Sequence, residues 1–439
     1  MITSISLRNF KSYAIAELPL APLVFLIGAN ASGKSNALEA IRLLSWLAKG
    51  HRLDDIARSI QGADTLVRGQ ACDLFRSAAK PLTLGCSFSA MPDDWDVLET
   101  SISLLSDQLI IAAESMRKRL ILEKKRSLYE VDGEPNPHTD EISVMYNNFK
   151  RGGNKPHIPC SNRQAIFYQL ETPGRFGADH EESQRIIPAV TKKAREALRQ
   201  VVFLDPRPSV MRDYSHANGN EITEDGSNLS SVLDRICGED PHGKTRLLEF
   251  IRPLPEQDIT DITFIRTERN DVMVRLVESF GGQPRPIDAP LLSDGTLRVL
   301  AVAAALLSTP RGAFVVIEEI DNGVHPSRAE SLVKQIRTIA TARQLQVLVT
   351  THNPALLDAL PNDALADVLC CYRDPQVGDS RIIRLGDVER YPELVAQGSL
   401  GELVTTRVLD RFLKDTSTPE QRRQSSSQWL EQLKQEVSE

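Results

Sequence analysis

The stretch Gly28-Ala29-Asn30-Ala31-Ser32-Gly33-Lys34-Ser35 constrains this chain more than any other, because it fits G-x-x-x-x-G-K-[ST] and such a loop works in only one setting. The backbone must curl so that successive N–H groups converge on phosphate oxygens, and a Cβ at Gly33 would obstruct that approach. A strand has to lead in, and a helix has to lead out with its N-terminal dipole facing the same anion. Both are legible. The apolar run Leu23–Ile27 ends at Gly28, and Leu38, Ile41, Leu44 and Leu47 recur at helical spacing after Ser35. Lys34 is then placed to reach the β- and γ-phosphates of a nucleotide, and the Ser35 hydroxyl to bind Mg²⁺.

A second site-forming signal lies near residue 318. The run Ala313-Phe314-Val315-Val316-Ile317 reads as a buried strand and ends in Glu318-Glu319, followed by Ile320-Asp321-Asn322-Gly323. Open α/β sheets bind their ligands at the carboxyl ends of strands. Because side chains alternate along a strand, the two acids cannot face the same way. One can hold the Mg²⁺ shell, directly or through water, while the other polarises an attacking water.

Strands alternate with helices from about residue 200 onward: Val201–Leu204, a helix from Leu297, Phe314–Ile317, a helix from Ser327, Gln346–Thr350 and a helix from Pro354. That order predicts a parallel sheet covered on both faces. A first strand is expected over 2–7, another over 165–170, and a hairpin over 259–266 and 272–277 around Glu268-Arg269-Asn270-Asp271. Between Met91 and Asn162 the apolar residues Ile102, Leu105, Leu109, Ala112, Met116 and Leu120 fall at three- and four-residue spacing, which predicts one long helix over 100–126. The expected organisation is therefore an N-terminal part of a nucleotide-binding head (1–90), a helical insertion (91–162), a C-terminal part of the head (163–360), a subdomain completing it (361–415) and a polar tail (416–439). Asn228, after Gly226-Ser227, reads as a helix cap.

Composition excludes several classes. With 52 Lys+Arg against 59 Asp+Glu the net charge is −7, so any nucleic-acid contact has to be local. The insertion offers such a place in Arg117-Lys118-Arg119 and Lys124-Lys125-Arg126, and Lys192, Lys193, Arg195 and Arg199 form a second basic set. No apolar stretch approaches the ~20 residues of a membrane span and no leader pattern stands at the start, so a cytoplasmic protein is expected. Six cysteines form no disulfide or zinc framework, and the pair His157 and Cys160 lacks a second pair nearby.

Two further motifs complete a set: Leu292-Ser293-Asp294-Gly295-Thr296-Leu297-Arg298, and residues 347–351 followed by His352-Asn353-Pro354. Together with Asn9-Phe10-Lys11-Ser12 and Ser399-Leu400-Gly401-Glu402-Leu403, the chain resembles ABC-type ATPases of the SMC, RecF and OLD branch. It is most similar there to small bacterial AAA-type ATPases of anti-phage defence. The resemblance spans Asn9 to Leu403 apart from the insertion. It implies an α/β head with a mixed sheet and an antiparallel β subdomain, binding ATP and Mg²⁺, with phosphate-site contacts from Gly28, Asn30, Gly33, Lys34, Ser35 and Asn36.

In that branch two heads close around ATP. The resemblance makes Ser293 and Gly295 the signature that meets the γ-phosphate held by a partner, Glu318 the residue on the metal side, Glu319 the base, His352 the γ-phosphate sensor and Asp321 part of the segment crossing the dimer interface. Asp294 replaces the glycine of many relatives and adds a negative charge near a phosphate, to be turned away or offset by Arg298. The glutamine that usually senses the metal is not placed: Gln61, Gln164 and Gln169 all stand open. Arg207, Arg212 and Asp213 fall in a family segment whose role the sequence does not show.

Lys34 and Ser293 are 259 residues apart, too few for a long coiled-coil arm, and the 87 residues after His352 lack the spaced acids of a two-metal nuclease. The expectation is a homo-oligomer that senses a trigger and controls a separately encoded effector nuclease or toxin. A RecF-like, DNA-binding repair ATPase is the alternative.

Overall fold

A computed structural model describes residues 1–56, 66–119, 127–134, 136, 139–152, 154–217, 219, 221–252, 258–320 and 328–415. A six-stranded sheet forms its centre, in the order Val201–Leu204, Phe314–Ile317, Gln346–Thr350, Leu23–Ile27, Leu369–Arg373 and Ser380–Arg384. The first five strands are parallel and the last is antiparallel. One N-terminal strand is thus inserted among strands from the far end of the chain. Alternation divides these strands between two cores. Val24 and Leu26 face one together with Phe314, Val316, Leu348 and Leu369; Phe25 and Ile27 face the other together with Val315, Ile317, Val347 and Cys370. Both faces are covered, as expected of strands that are apolar throughout.

The first core is roofed by an eight-stranded antiparallel sheet, in the order Tyr13–Pro19, Ile2–Phe10, Leu82–Phe88, Val97–Leu105, Gln108–Arg117, Ser127–Asp132, Glu141–Tyr146 and His157–Ser161. The helical insertion expected over 91–162 is corrected here. Its described residues extend this sheet, and the long helix expected from residue 100 is a hairpin turning at Ser106 and Asp107, both with positive φ. Leu98, Thr100 and Ile102 are buried alternately before the turn, and a register shift between Ser101 and Ile102 moves the phase. A turn and a bulge thereby gave a period-two pattern the appearance of helical spacing.

Two smaller expectations also change. Residues 165–170 do not form a strand; Ile166–Gln169 is a short helix whose first N–H groups are held by a carboxylate about fifty residues earlier, described below. Asn228 stands at the N-cap position of Leu229–Glu239, but its side chain does not cap that helix. Its Oδ1 accepts from Thr223 N at 2.8 Å and its Nδ2 donates to Glu221 O at 2.8 Å, so it closes the preceding loop.

The expected hairpin is present as Ile259–Arg266 and Asp271–Phe280, and the second strand also pairs with Ser215–His216 and Gln283–Asp288. With helices Leu229–Glu239, Gly243–Ile251 and Asp294–Ser308 it packs into the second core. His157 and Cys160 lie three apart on an edge strand and so face opposite ways. His157 Nε2 meets Asp132 at 2.8 Å while Cys160 is buried.

Glu114 joins the antiparallel sheet to the rest. It is fully buried, and its carboxylate accepts from Thr100 Oγ1 (3.1 Å), Tyr129 OH (2.9 Å), Ile166 N (3.0 Å) and Phe167 N (2.6 Å). Burial pushes its carboxyl up to about 7 against the pull of these four donors.

Candidate nucleotide site

Four neighbouring strands of the central sheet deliver the site at their carboxyl ends. Val201–Leu204 runs into Asp205, Phe314–Ile317 into Glu318 and Glu319, Gln346–Thr350 into Thr351 and His352, and Leu23–Ile27 into Gly28. The loop then enters the helix Lys34–Ala48, whose buried face packs on the first core. Residues as far apart in sequence as Gly28 and His352 therefore share one edge, where open α/β sheets bind ligands.

The loop has the form of a phosphate cradle. Gly28 and Gly33 have φ of 150° and 121°. A Cβ would lie 2.1 Å from Cys371 O at Gly28 and 2.4 Å from Ser380 Oγ at Gly33, so glycine is required at both. Lys34 Nζ donates to Gly28 O (2.5 Å) and Ala29 O (3.2 Å), which folds it over the cradle. Ser32 Oγ is buried and has no hydrogen-bond partner among the described residues. Glycines that admit no side chain, a lysine across the opening and a helix N-terminus below it fit a nucleotide triphosphate. Ser35, exposed on the first turn, is a suitable hydroxyl ligand for Mg²⁺. The Asn36 amide turns away from the cradle and donates to Ser12 Oγ at 2.7 Å.

The paired acids separate, Glu318 keeping the phase of the strand and Glu319 leaving it through a backbone kink. Glu318 continues the phase of Phe314 and Val316 and turns toward the loop's helix, where Arg42 Nη2 donates to Glu318 Oε1 at 2.7 Å. Arg42 also holds Glu224 at 2.5 Å and stacks over Phe203 at 4.3 Å. Burial raises the Glu318 carboxyl above its ordinary value, and the Arg42 guanidinium works against that shift. Glu319 has φ of 45°, an uncommon conformation for a side-chain-bearing residue, and its N–H donates to Thr350 Oγ1 at 2.9 Å. This kink takes Glu319 out of the strand's alternation and leaves it exposed at the sheet edge. Backbone strain at the second acid is the kind that persists where surrounding contacts over-determine it.

His352 is exposed just beyond its strand and lines, with Gly28, Ala29 and Asn30, a cavity of about 450 Å³ closed by Arg407, Asp410 and Leu413. The structure thus brings together Gly28, Asn30, Gly33, Lys34, Ser35, Glu318, Glu319 and His352. Asp321 lies outside the described residues, as do Gln61, Lys124, Lys125 and Arg126. Gln164 donates to Gly50 O, and Gln169 bridges the Ser161 backbone, so both serve the junction around the short helix Ile166–Gln169.

Ser293 caps Asp294–Ser308, accepting from Thr296 N at 3.1 Å, and stays exposed while Gly295 is buried in the first turn. Asp294 is offset by Arg212 rather than Arg298. Arg212 Nη2 reaches Asp294 Oδ1 at 2.5 Å and Leu292 O at 3.1 Å.

Sequence reasoning missed Arg42, Glu224, Asp205 and the role of Arg212. Asp205 had a readable signal, since it ends an apolar strand as Glu318 does. Burial raises its carboxyl, with Glu224 and Glu319 adding like charge against Arg207 and Arg298. Arg42 and Glu224 meet across 182 residues and left no local pattern. Most of the described members of the two basic sets are engaged. Arg117 pairs with Glu99, Arg119 Nε lies 4.0 Å from Asp96, Lys118 stacks on Trp95 at 4.9 Å, Lys193 donates to Ala90 O and Arg195 pairs with Glu171.

Comparison with known proteins matches residues 1–186 to the family model "AAA ATPase domain" and residues 197–358 to "AAA domain, putative AbiEii toxin, Type IV TA system". Among curated proteins, the DNA replication and repair protein RecF of Listeria welshimeri is 50% identical over 52 residues, 12% of this chain and 14% of the relative. That of Nocardioides sp. is 40% identical over 67 residues, 15% and 16% respectively. The matched segment therefore spans about one seventh of these relatives' own length. Among solved structures, an SMC head bound to the C-terminal winged-helix domain of ScpA is 14% identical, with a TM-score of 0.45 over 87% of this chain and 97% of that one. A Pyrococcus furiosus SMC head with an extended coiled coil gives 13% and 0.46 over 90% and 99%. No helix among the described residues is long and apolar enough to cross a membrane. The phosphate loop lies within the segment 1–186 matched by the AAA ATPase model, and the paired acids and the histidine lie within the segment 197–358 matched by the second AAA model, so the two matches meet at one set of adjacent strand ends.

Proposed function

We propose that the protein binds and hydrolyses ATP between two copies of itself, and uses that cycle as the sensor and scaffold of a bacterial anti-phage system that controls a separately encoded effector nuclease or toxin. The observation that carries the ATPase reading is the convergence of Gly28–Ser35, Glu318, Glu319 and His352 on three adjacent strand ends. Loop N–H groups and Lys34 hold the triphosphate, and Ser35 and Glu318 would hold Mg²⁺, which would neutralise phosphate charge. Glu319 takes a proton from the attacking water as its oxygen bonds to the γ-phosphorus. The bond to the bridging oxygen breaks and ADP leaves with inorganic phosphate. His352 orients the γ-phosphate, and Ser293, Gly295 and Asp321 of the second copy close the site.

The defence reading draws support from the match of residues 197–358 to a domain described as a toxin of a toxin–antitoxin system. The RecF segments favour a second reading, ATP-dependent DNA binding in repair. Local pairing of the described basic residues weighs against it.

The test has two parts. Lys34→Ala is expected to abolish ATP binding, and Glu319→Gln to bind ATP, hydrolyse it at least 100-fold more slowly and accumulate a dimer. Parental turnover by Glu319→Gln would remove Glu319 as the base. Purification with the product of the neighbouring gene separates the two readings: a stable, nuclease-like or toxin-like partner supports the first. No such complex, with tight ATP-dependent DNA binding, supports the second.

A further inference from the structure

A loop that points its N–H groups at phosphates must point its carbonyls the other way, because the two are opposed across a trans peptide. Buried carbonyls need donors. In this protein those donors come from side chains outside the loop, one 20 residues away and two 339 and 348 residues away. Ser380 Oγ donates to Ser32 O at 2.6 Å, and Cys371 Sγ approaches the same oxygen at 3.3 Å. Tyr13 OH donates to Gly33 O at 3.0 Å and lies 3.2 Å from Cys371 Sγ. All three side chains are buried, with exposures of 0%, 2% and 0% for Tyr13, Cys371 and Ser380. Burial raises the Tyr13 hydroxyl and the Cys371 thiol above their ordinary ranges, so both keep the protons they donate.

The contacts extend beyond the loop. Ser380 Oγ is within donating distance of both Ser32 O at 2.6 Å and Ser12 Oγ at 2.8 Å, so its single hydroxyl proton serves two neighbouring acceptors. Ser12 in turn accepts from Asn36 at 2.7 Å, one turn into the loop's helix. Asn9-Phe10-Lys11-Ser12, which had no assigned role, thereby ties the loop to the C-terminal strand pair.

We propose that Tyr13, Cys371 and Ser380 are positioning residues for triphosphate binding: by holding the Ser32 and Gly33 carbonyls behind the loop, they aim the N–H groups of Gly33 and Lys34 at the phosphates. Gly33 is glycine for this reason too, since its Cβ would strike Ser380 Oγ at 2.4 Å and Tyr13 OH at 2.9 Å. The inference rests on the ATPase reading and adds to it that the loop is incomplete without strands whose side chains lie 339 and 348 residues later.

The test compares Ser380→Ala, Tyr13→Phe, Cys371→Ala and Cys371→Ser in the full chain. Ser380→Ala and Tyr13→Phe are each expected to raise KM for ATP about ten-fold, the loss of one buried hydrogen bond, with a smaller fall in kcat. Cys371→Ser, which keeps a donor, recovers most of the effect of Cys371→Ala. Inorganic tripolyphosphate, which lacks base and sugar, loses affinity in parallel with ATP. A parent that binds no ATP overturns the ATPase reading itself. A parent that binds, with Ser380→Ala and Tyr13→Phe binding ATP and tripolyphosphate equally well, overturns the positioning role alone.

Discussion

Arg42 offers the sharpest test of how the site is held. Its guanidinium reaches Glu318 at 2.7 Å and Glu224 at 2.5 Å, and its side chain is only 15% exposed. Arg42→Met keeps the length of the side chain and its packing on Phe203 while deleting both charge-assisted hydrogen bonds. Each is worth about 1.5–3 kcal/mol when desolvated. Glu224 is 48% exposed, so its share is screened, and the expected loss of unfolding free energy is about 2–3 kcal/mol at pH 8. The sign with pH follows from Glu318. Burial holds its folded-state carboxyl above the unfolded value, so the stability tied to it is present at low pH and lost as pH rises through the folded value. Without Arg42, burial is unopposed and that value rises further. The penalty of Arg42→Met should therefore be largest at pH 8 and smaller at pH 5, because the carboxyl, already raised by burial in the parent, takes up its proton at a higher pH once Arg42 is gone. Urea unfolding of parent and variant at the two pH values measures it. An equal penalty at both would show that Arg42 acts by packing and that Glu318 is not its charged partner.

Two further perturbations probe other junctions. Arg212→Ala leaves Asp294 uncompensated beside the signature serine, so ATP-dependent dimerisation of the Glu319→Gln background should weaken about ten-fold, more at low salt than at high salt. Light scattering reads this out, and failure of Asp294→Gly to restore the dimer would count against the charge argument. Glu114→Gln places an amide N–H₂ against the Ile166 or Phe167 N–H and should cost about 2–4 kcal/mol. Because burial raises Glu114 to about 7, the parent should lose on the order of 3 kcal/mol more than this variant between pH 4.5 and 7; identical pH profiles would refute the assignment.

Much of the site was legible in one dimension because its parts are local. A phosphate loop is eight consecutive residues, and an apolar strand ending in acids is seven, so strand, turn chemistry and helix onset are all written side by side. That the two acids face different ways was also legible, although a kink at Glu319, rather than alternation alone, sets its direction. The antiparallel lobe was not legible. A hairpin with a bulge between Ser101 and Ile102 mimics a helical period, and only pairing with Leu82–Phe88 and Ser127–Asp132 distinguishes the two.

What the sequence alone determined was the chemistry at each strand end: the cradle, its lysine, the two acids and the histidine. Their order in the sheet, and with it the meeting of Gly28 with residues near 318 and 352, came only with the tertiary structure. So did the Arg42 bridge between Glu318 and Glu224, the Arg212–Asp294 pair, and the Ser380, Cys371 and Tyr13 donors behind the loop. The physical reason is common to all three. A hydrogen bond or ion pair between residues tens to hundreds of positions apart imposes no spacing or period on the chain, and it exists only where packing on both faces of the sheet brings its partners within reach.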